Sequence, residues 1–267
     1  MGEQLFYFLI YPGMLFAGVV GGLIAWVDRK VTARVQFRQG PPVLQPFYDF
    51  LKLLLVKETV LPKRGSAIFF LIAPVLGLFG ATASALLILL PAFGITAGFQ
   101  GDIIVLFYLL AIPSLMFVIG AMASGNPLSA VGASREIKLI LSYELTFMLV
   151  VAGVILKSGQ TLYLDQIMMV QQTQGAFIGS VSGVLLFVAA LFAIQGKAGL
   201  VPFDLAEAET EIAEGTFMEY SGTAYAIIKY TKYILLFILP VFVAEMFLGG
   251  LAFTGMHILW SVLKIVL

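Results

Sequence analysis

The sequence has no cysteine, a single histidine (His257), two tryptophans and little charge: Asp, Glu, Lys and Arg make up 11% of its 267 residues. Each shortage excludes something. Without thiolates the chain cannot ligate an iron–sulfur cluster of the usual kind, and one imidazole cannot supply two axial haem ligands or a multi-histidine zinc site. If electrons are part of this protein's work, another subunit carries them. A charged fraction less than half the ~25% of an average soluble domain, beside 61% hydrophobic residues, rules out a soluble fold. With 15 basic and 15 acidic side chains the net charge is zero, which by itself says nothing about partners, so only the placement of the charges is informative; the partners expected are protein subunits and membrane lipid, with no nucleic acid.

What the sequence does have is apolar runs, enough for about seven crossings at roughly 20 residues each. The pattern predicts an all-α integral membrane protein, one membrane domain over 1–267 built as a bundle of about seven transmembrane helices. The spans are expected near 5–27, 68–91, 103–123, 137–157, 176–196, 224–248 and 251–267. The first runs too long for a signal peptide and ends in Asp28-Arg29-Lys30, so it reads as a mature span. The 28–67 loop carries Arg29, Lys30, Arg34, Arg38, Lys52, Lys57, Lys63 and Arg64, which the positive-inside rule places in the cytoplasm with the N-terminus outside. Seven spans then put the 124–136 and 197–223 loops and the C-terminus on the same side, leaving only Lys157 of the basic residues outside. Within the first loop, Pro46 to Lys57 places Phe47, Phe50, Leu51, Leu54 and Leu55 at helical spacing, an amphipathic helix lying in the membrane interface. Gly18-x-x-x-Gly22 and Gly179-x-x-x-Gly183 offer close helix contact. No inverted repeat and no soluble domain of catalytic size is evident, which points to a subunit that works on partners.

The charges inside this apolar frame need explaining. Val201 to Gly222 contains six carboxylates (Asp204, Glu207, Glu209, Glu211, Glu214 and Glu219) and no basic residue. A helix over 204–214 would set 204, 207, 211 and 214 on one face. A solvated acidic face is the simple reading. Against it, Leu205, Ala206, Ala208, Ile212 and Ala213 are too apolar for a hydrated loop, so the segment is expected to fold back into the bundle, where crowded carboxylates exchange protons near neutrality. Glu144 falls inside the fourth expected span, roughly 10 Å below its cytoplasmic end at 1.5 Å per residue. An intramembrane glutamate is a functional candidate by default, the alternative being a fixed ion pair with a lysine or arginine of a neighbouring helix. Tyr143 and Tyr220 are candidate hydroxyl relays or interfacial anchors. Lys229 and Lys232 read as side chains that snorkel to the surface, with a counter-charge role as the alternative. Glu245 reads as an exposed interfacial residue, and His257 as a packing residue.

Three motifs then carry a resemblance. The first runs Asp28-Arg29-Lys30, Ala33-Arg34, Arg38-Gln39-Gly40-Pro41, Leu44-Gln45-Pro46, Asp49, Lys52-Leu53-Leu54 and Lys57-Glu58. The second is Arg135 followed by Ser142-Tyr143-Glu144, and the third Pro202-Phe203-Asp204-Leu205 through Glu207-Ala208-Glu209, Glu211 and Glu219-Tyr220-Ser221-Gly222. Together they resemble the complex I subunit 1 family, the membrane subunit joining the peripheral redox arm to the membrane arm in respiratory complex I and in energy-converting membrane-bound hydrogenases. The resemblance implies a non-redox anchor in which Glu144, Glu207, Glu209, Glu211 and Glu219 line a carboxylate funnel, supported by Asp204 and Arg135. It also implies that the basic first loop, with Asp28, Arg29, Lys30, Arg34 and Arg38, docks a hydrogenase-like large subunit and a small iron–sulfur subunit. Antiporter-like membrane subunits would move protons or sodium ions. Iron–sulfur clusters and a nickel–iron centre would sit in the partners, with no cofactor here and no catalysis by this chain alone.

The departures indicate a branch. Quinone-reducing members have a longer stretch between Gly-Pro and Leu-Gln-Pro than Gly40-Pro41-Pro42-Val43-Leu44-Gln45, and the short form is similar to the branch of membrane-bound hydrogenases, formate hydrogenlyases and sulfur reductases. Asp28 stands where glutamate is usual. The chain stops after the seventh expected span, without the last span and arginine-rich motif of longer relatives. The expectation is thus a coupling subunit of a ferredoxin-linked complex in a prokaryotic cell membrane. The alternatives are the quinone-site subunit of a complex I-type reductase, a stand-alone transporter or channel, and a purely structural anchor.

Overall fold

The computed structural model describes residues 2–95, 101–251 and 261. The protein is an all-helical integral membrane bundle. Among the described residues five helical stretches are long and apolar enough to cross a membrane: Gly2–Val35, Ala67–Ala92, Asp102–Ala123, Pro127–Lys157 and Gly222–Phe247. The sixth apolar helix, Val181–Lys197, has 17 residues and spans ~25 Å. The expected seventh span at 251–267, with His257, lies almost wholly outside the described residues.

The first expected span is two helices, α1 (Gly2–Leu9) and α2 (Met14–Val35). Pro12 lacks an N–H and restricts the residue before it, so the helix cannot run through. Helix α2 then continues eight residues beyond the expected end at 27, because Asp28 to Val35 holds no glycine or proline and its arginines, lysine and alanine are good helix formers. The interfacial helix forms as α3 (Gln45–Leu55), with Phe47 against Gly22 of α2. Helices α4 (Ala67–Ala92) and α5 (Asp102–Ala123) follow.

The fourth expected span, α6 (Pro127–Lys157), begins ten residues early, so the expected 124–136 loop shrinks to a short turn. The reason is a local start signal: the Asn126 side chain accepts from the Leu128 N–H at 2.9 Å, and Pro127 occupies the first helical position, where its missing N–H costs nothing. Amphipathic α7 (Leu164–Gln174) and the 3-10 turn Phe177–Gly179 precede α8 (Val181–Lys197), whose N-terminus is capped by the Ser180 hydroxyl accepting from the Gly183 N–H at 3.2 Å.

The acidic segment is not a helix over 204–214. Only α9 (Glu209–Ile212) is α-helical, followed by Ala213 and Glu214 at φ 49° and 63° and a 3-10 turn at Gly215–Phe217. The Thr216 N–H and hydroxyl both donate to the Ala206 carbonyl, at 3.3 and 3.2 Å, which closes the segment into a compact loop that seats on α6. Helix α10 (Gly222–Phe247) passes through the middle of the bundle, with Ile234, Ile238 and Phe242 fully buried. Helix α2 lies close to it because Gly21 has no side chain: a Cβ there would come within 1.8 Å of the Tyr233 carbonyl oxygen. The Gly179-x-x-x-Gly183 spacing brings no two helices together, since Gly179 faces open space and Gly183 faces the adjoining turn. Leu141, Leu149 and Leu185 point outward, as side chains in lipid do.

Candidate functional site

The site is built at the end of the bundle that carries the acidic loop. Glu144 projects from α6 and forms an ion pair with Lys197, the last residue of α8. The Lys197 side chain is 0% exposed and that of Glu144 15%. The same ammonium donates to the Leu110 carbonyl of α5 at 3.2 Å and lies 5.1 and 5.4 Å from the ring centres of Phe147 and Tyr143. Glu144 thus meets its counter-charge from another helix. Lys197, expected at a charged membrane edge, is instead turned inward. The second carboxylate oxygen of Glu144 is buried without a hydrogen-bond partner among the described residues.

The loop carboxylates are spread out, which removes the repulsion that a common face would impose. Glu207 pairs with Lys232 of α10, whose ammonium lies 4.5 Å from the Phe217 ring centre. Lys232 is therefore a counter-charge and does not snorkel away, while Lys229 lies over the Tyr225 ring. Glu211 accepts from Arg135 at 2.7 Å, and the same guanidinium donates to the Leu205 carbonyl at 3.3 Å. Glu219 accepts from the Asn126 amide at 2.5 Å. Asp204 is half-buried at the loop's first turn; the Glu209 backbone is in α9, and its side chain lies outside the described set. Tyr220 stacks on Phe70 of α4 with ring centres 4.1 Å apart and donates its hydroxyl to the Phe70 carbonyl at 3.0 Å. Burial pushes that hydroxyl above its ordinary range, so it keeps its proton and sits as an anchor.

Glu136 is the residue the sequence reasoning passed over. Next to Arg135 in α6, it lies within electrostatic reach of Glu207 and Lys232 on the loop side and of Tyr143 deeper in the helix. Positions 136 and 143 are seven apart and share a face, the signal that was available. Glu245, expected to be exposed, is 1% exposed, because the C-terminal end of α10 is enclosed by the bundle; Gln171 of α7 donates to its backbone carbonyl at 2.8 Å.

In the first loop, Arg29 donates to Asp49 at 3.2 Å and Lys30 to the Gly40 carbonyl at 3.4 Å, so both are engaged in holding α2 to the following segment. Asp28, Arg34 and Arg38 are exposed, and between the two arginines Phe37 is completely exposed. Among the described residues no three His, Cys, Asp or Glu side chains gather as metal ligands.

Residues 8–267 match the family model described as NADH dehydrogenase. The chain is 35% identical over 265 residues to an NADH-quinone oxidoreductase subunit of Thermomicrobium roseum, covering 90% of this chain and 77% of that one. It is 32% identical over 265 residues to NADH-ubiquinone oxidoreductase chain 1 of Dictyostelium citrinum, covering 93% and 79%. Its fold is similar to a chain in the structure of the membrane-bound sulfane sulfur reductase, an archaeal respiratory membrane complex, with a TM-score of 0.85 and 28% identity over 100% of this chain and 86% of that one. On these grounds the chain belongs to the NADH dehydrogenase family, as a multi-pass membrane subunit of the complex I subunit 1 type.

Proposed function

We propose that this subunit couples electron transfer in a peripheral arm to proton or sodium movement in neighbouring antiporter-like subunits, and that it does so through its carboxylates. The observation that supports this best is the placement of Glu144. It is an acidic group inside a span, ion-paired to a buried lysine, with Glu136 and then the Glu207–Lys232 pair between it and the loop surface. Charge shifted near the loop is felt along such a series, because the low dielectric around it screens little. The oxidoreductase chemistry belongs to partners: a hydrogenase-like large subunit and a small iron–sulfur subunit docked on the first loop, fed by ferredoxin. A chain without cysteine supplies no thiolate for such clusters. The loop end faces the cytoplasm and the N-terminus lies outside, following the basic residues.

The test is Glu144→Gln in the intact complex, with ions moved per electron as the measurement. A marked fall with electron transfer retained is expected; the wild-type ratio overturns the role given to Glu144. A second reading, quinone reduction at the interface with the peripheral arm, is favoured by the relatives named as quinone and ubiquinone oxidoreductase subunits. The abbreviated Gly40 to Gln45 stretch weighs against it. Quinone extracted in stoichiometric amount from the purified complex, with inhibition by quinone-site blockers, would establish that reading.

A further inference from the structure

Lys197 stands at a junction that the carboxylate series alone does not explain. It is the last residue of α8, with its side chain wholly buried and its ammonium shared between Glu144 of α6 and the Leu110 carbonyl of α5. A long cationic side chain normally reaches out to water from a helix end. Here it turns the other way, and Glu144 gives it the one carboxylate it touches.

Immediately after Lys197 the chain becomes the acidic loop, and the join is stiff. The Ala198 and Gly199 N–H groups donate to the Ile194 and Gly196 carbonyls at 2.8 and 3.1 Å. The Leu200 N–H donates to the Gln195 carbonyl at 3.2 Å, and the Gln195 side-chain amide donates to the Val201 carbonyl at 2.7 Å. Gly199 sits at φ +64°, and the position its Cβ would take is 3.5 Å from Glu207 Oε1. The loop carboxylate that pairs with Lys232 therefore lies against the backbone two residues from Lys197, and a displacement of the loop is carried to the end of α8.

Glu144 has one oxygen on Lys197 and the other, Oε2, buried without a hydrogen-bond partner among the described residues. Its charge is thus balanced by one ammonium, that of Lys197. We propose that Lys197 is a positioning residue that fixes the charge state of Glu144 and links it to the acidic loop. With the ammonium in place Glu144 is a carboxylate. Withdrawal leaves a buried anion without a counter-charge, which takes one proton from the aqueous side of the loop; return of the ammonium releases that proton. The inference rests on the coupling reading above and adds to it the group that sets the state of Glu144.

The experiment uses the intact complex carrying Lys197→Gln, Lys197→Arg and the neutral pair Glu144→Gln with Lys197→Gln, the last serving as the folding control. Infrared difference spectroscopy reads the carboxylic-acid C=O stretch, and ions moved per electron are measured in parallel. Lys197→Gln is expected to show a new protonated-carboxyl band that the added Glu144→Gln removes, and to lose at least half of the ions per electron with electron transfer retained. Lys197→Arg, which keeps the cation, is expected to show no such band and to keep more of the ratio. No band in Lys197→Gln, a band that survives Glu144→Gln, or the same band in Lys197→Arg overturns the inference. A wild-type ratio in Glu144→Gln alone instead overturns the coupling reading, and the infrared result then still decides whether Lys197 holds the charge of Glu144.

Discussion

The Lys197 ammonium and the Glu144 carboxylate form an ion pair between α8 and α6 inside the bundle, with the lysine side chain fully shielded from solvent. Removing one partner of a buried pair leaves an uncompensated charge, at a cost of about 3–5 kcal/mol, whereas removing both leaves none. Lys197→Met is therefore expected to lower the thermal stability of the purified complex clearly, and Glu144→Gln added to it to recover a large part of the loss. Thermal unfolding in detergent, compared across the two single variants and the double, checks this. Equal losses in the single and the double would show that the pair is not held as described.

Tyr220 separates anchor from relay. Tyr220→Phe keeps the stack on Phe70 and removes only the hydroxyl donated to the Phe70 carbonyl, a loss of about 0.5–1.5 kcal/mol. Stability is expected to fall by that little and ions moved per electron to stay at wild type. A collapse of the ratio in Tyr220→Phe would make the hydroxyl a relay after all.

Arg135 and Glu211 are both partly open to solvent, so their bond contributes little, about 0.2–1 kcal/mol. Because Arg135 also holds the Leu205 carbonyl, Arg135→Ala is expected to loosen the loop more than Glu211→Ala. Hydrogen exchange across 201–221 measures the difference, and greater exchange in the glutamate variant would contradict it.

Glycine positions make a steric prediction. Gly21→Leu drives a side chain into the Tyr233 backbone and is expected to abolish accumulation of the folded subunit, while Gly179→Ala, facing open space, is expected to be neutral. Immunoblotting of membranes reads both.

The absence of cysteine makes orientation easy to test. Arg38→Cys introduces a unique thiol at an exposed site next to Phe37. It is expected to react with a membrane-impermeant maleimide only in inverted vesicles and to be shielded when the peripheral arm is bound. Labelling in right-side-out cells would reverse the topology. Charge reversal of Arg34 and Arg38 together is expected to weaken retention of that arm in a salt-dependent way, read by copurification.

Much of the fold is written in composition and local signals. Long apolar runs leave a chain little choice but helices in lipid, because every backbone polar group must be satisfied within its own segment. The charged ends of α2 and α6 escape hydropathy for one reason: Asp28 to Arg34 and Arg135-Glu136 look like loop, yet their helix propensity is high and the Asn126-Pro127 cap starts α6 well before its apolar part. The reverse happened at 204–214, where helical spacing was present and the helix was not. There Thr216 binds back to Ala206, and Ile212 and Phe217 are buried in the bundle, contacts that outweigh a periodic pattern.

The sequence by itself determined that this is a membrane protein with no thiolate to hold an iron–sulfur cluster, which carboxylates are exceptional, and which family it resembles. Only the tertiary structure decided what each charge faces. Glu144 with Lys197, Glu207 with Lys232 and Arg135 with Glu211 are separated by 53, 25 and 76 positions along the chain. No periodicity reaches across such intervals. Whether a lysine at a helix end turns outward to water or inward to a carboxylate depends on which helices pack beside it, and in an apolar bundle an unpaired glutamate is costly enough to bring the lysine in.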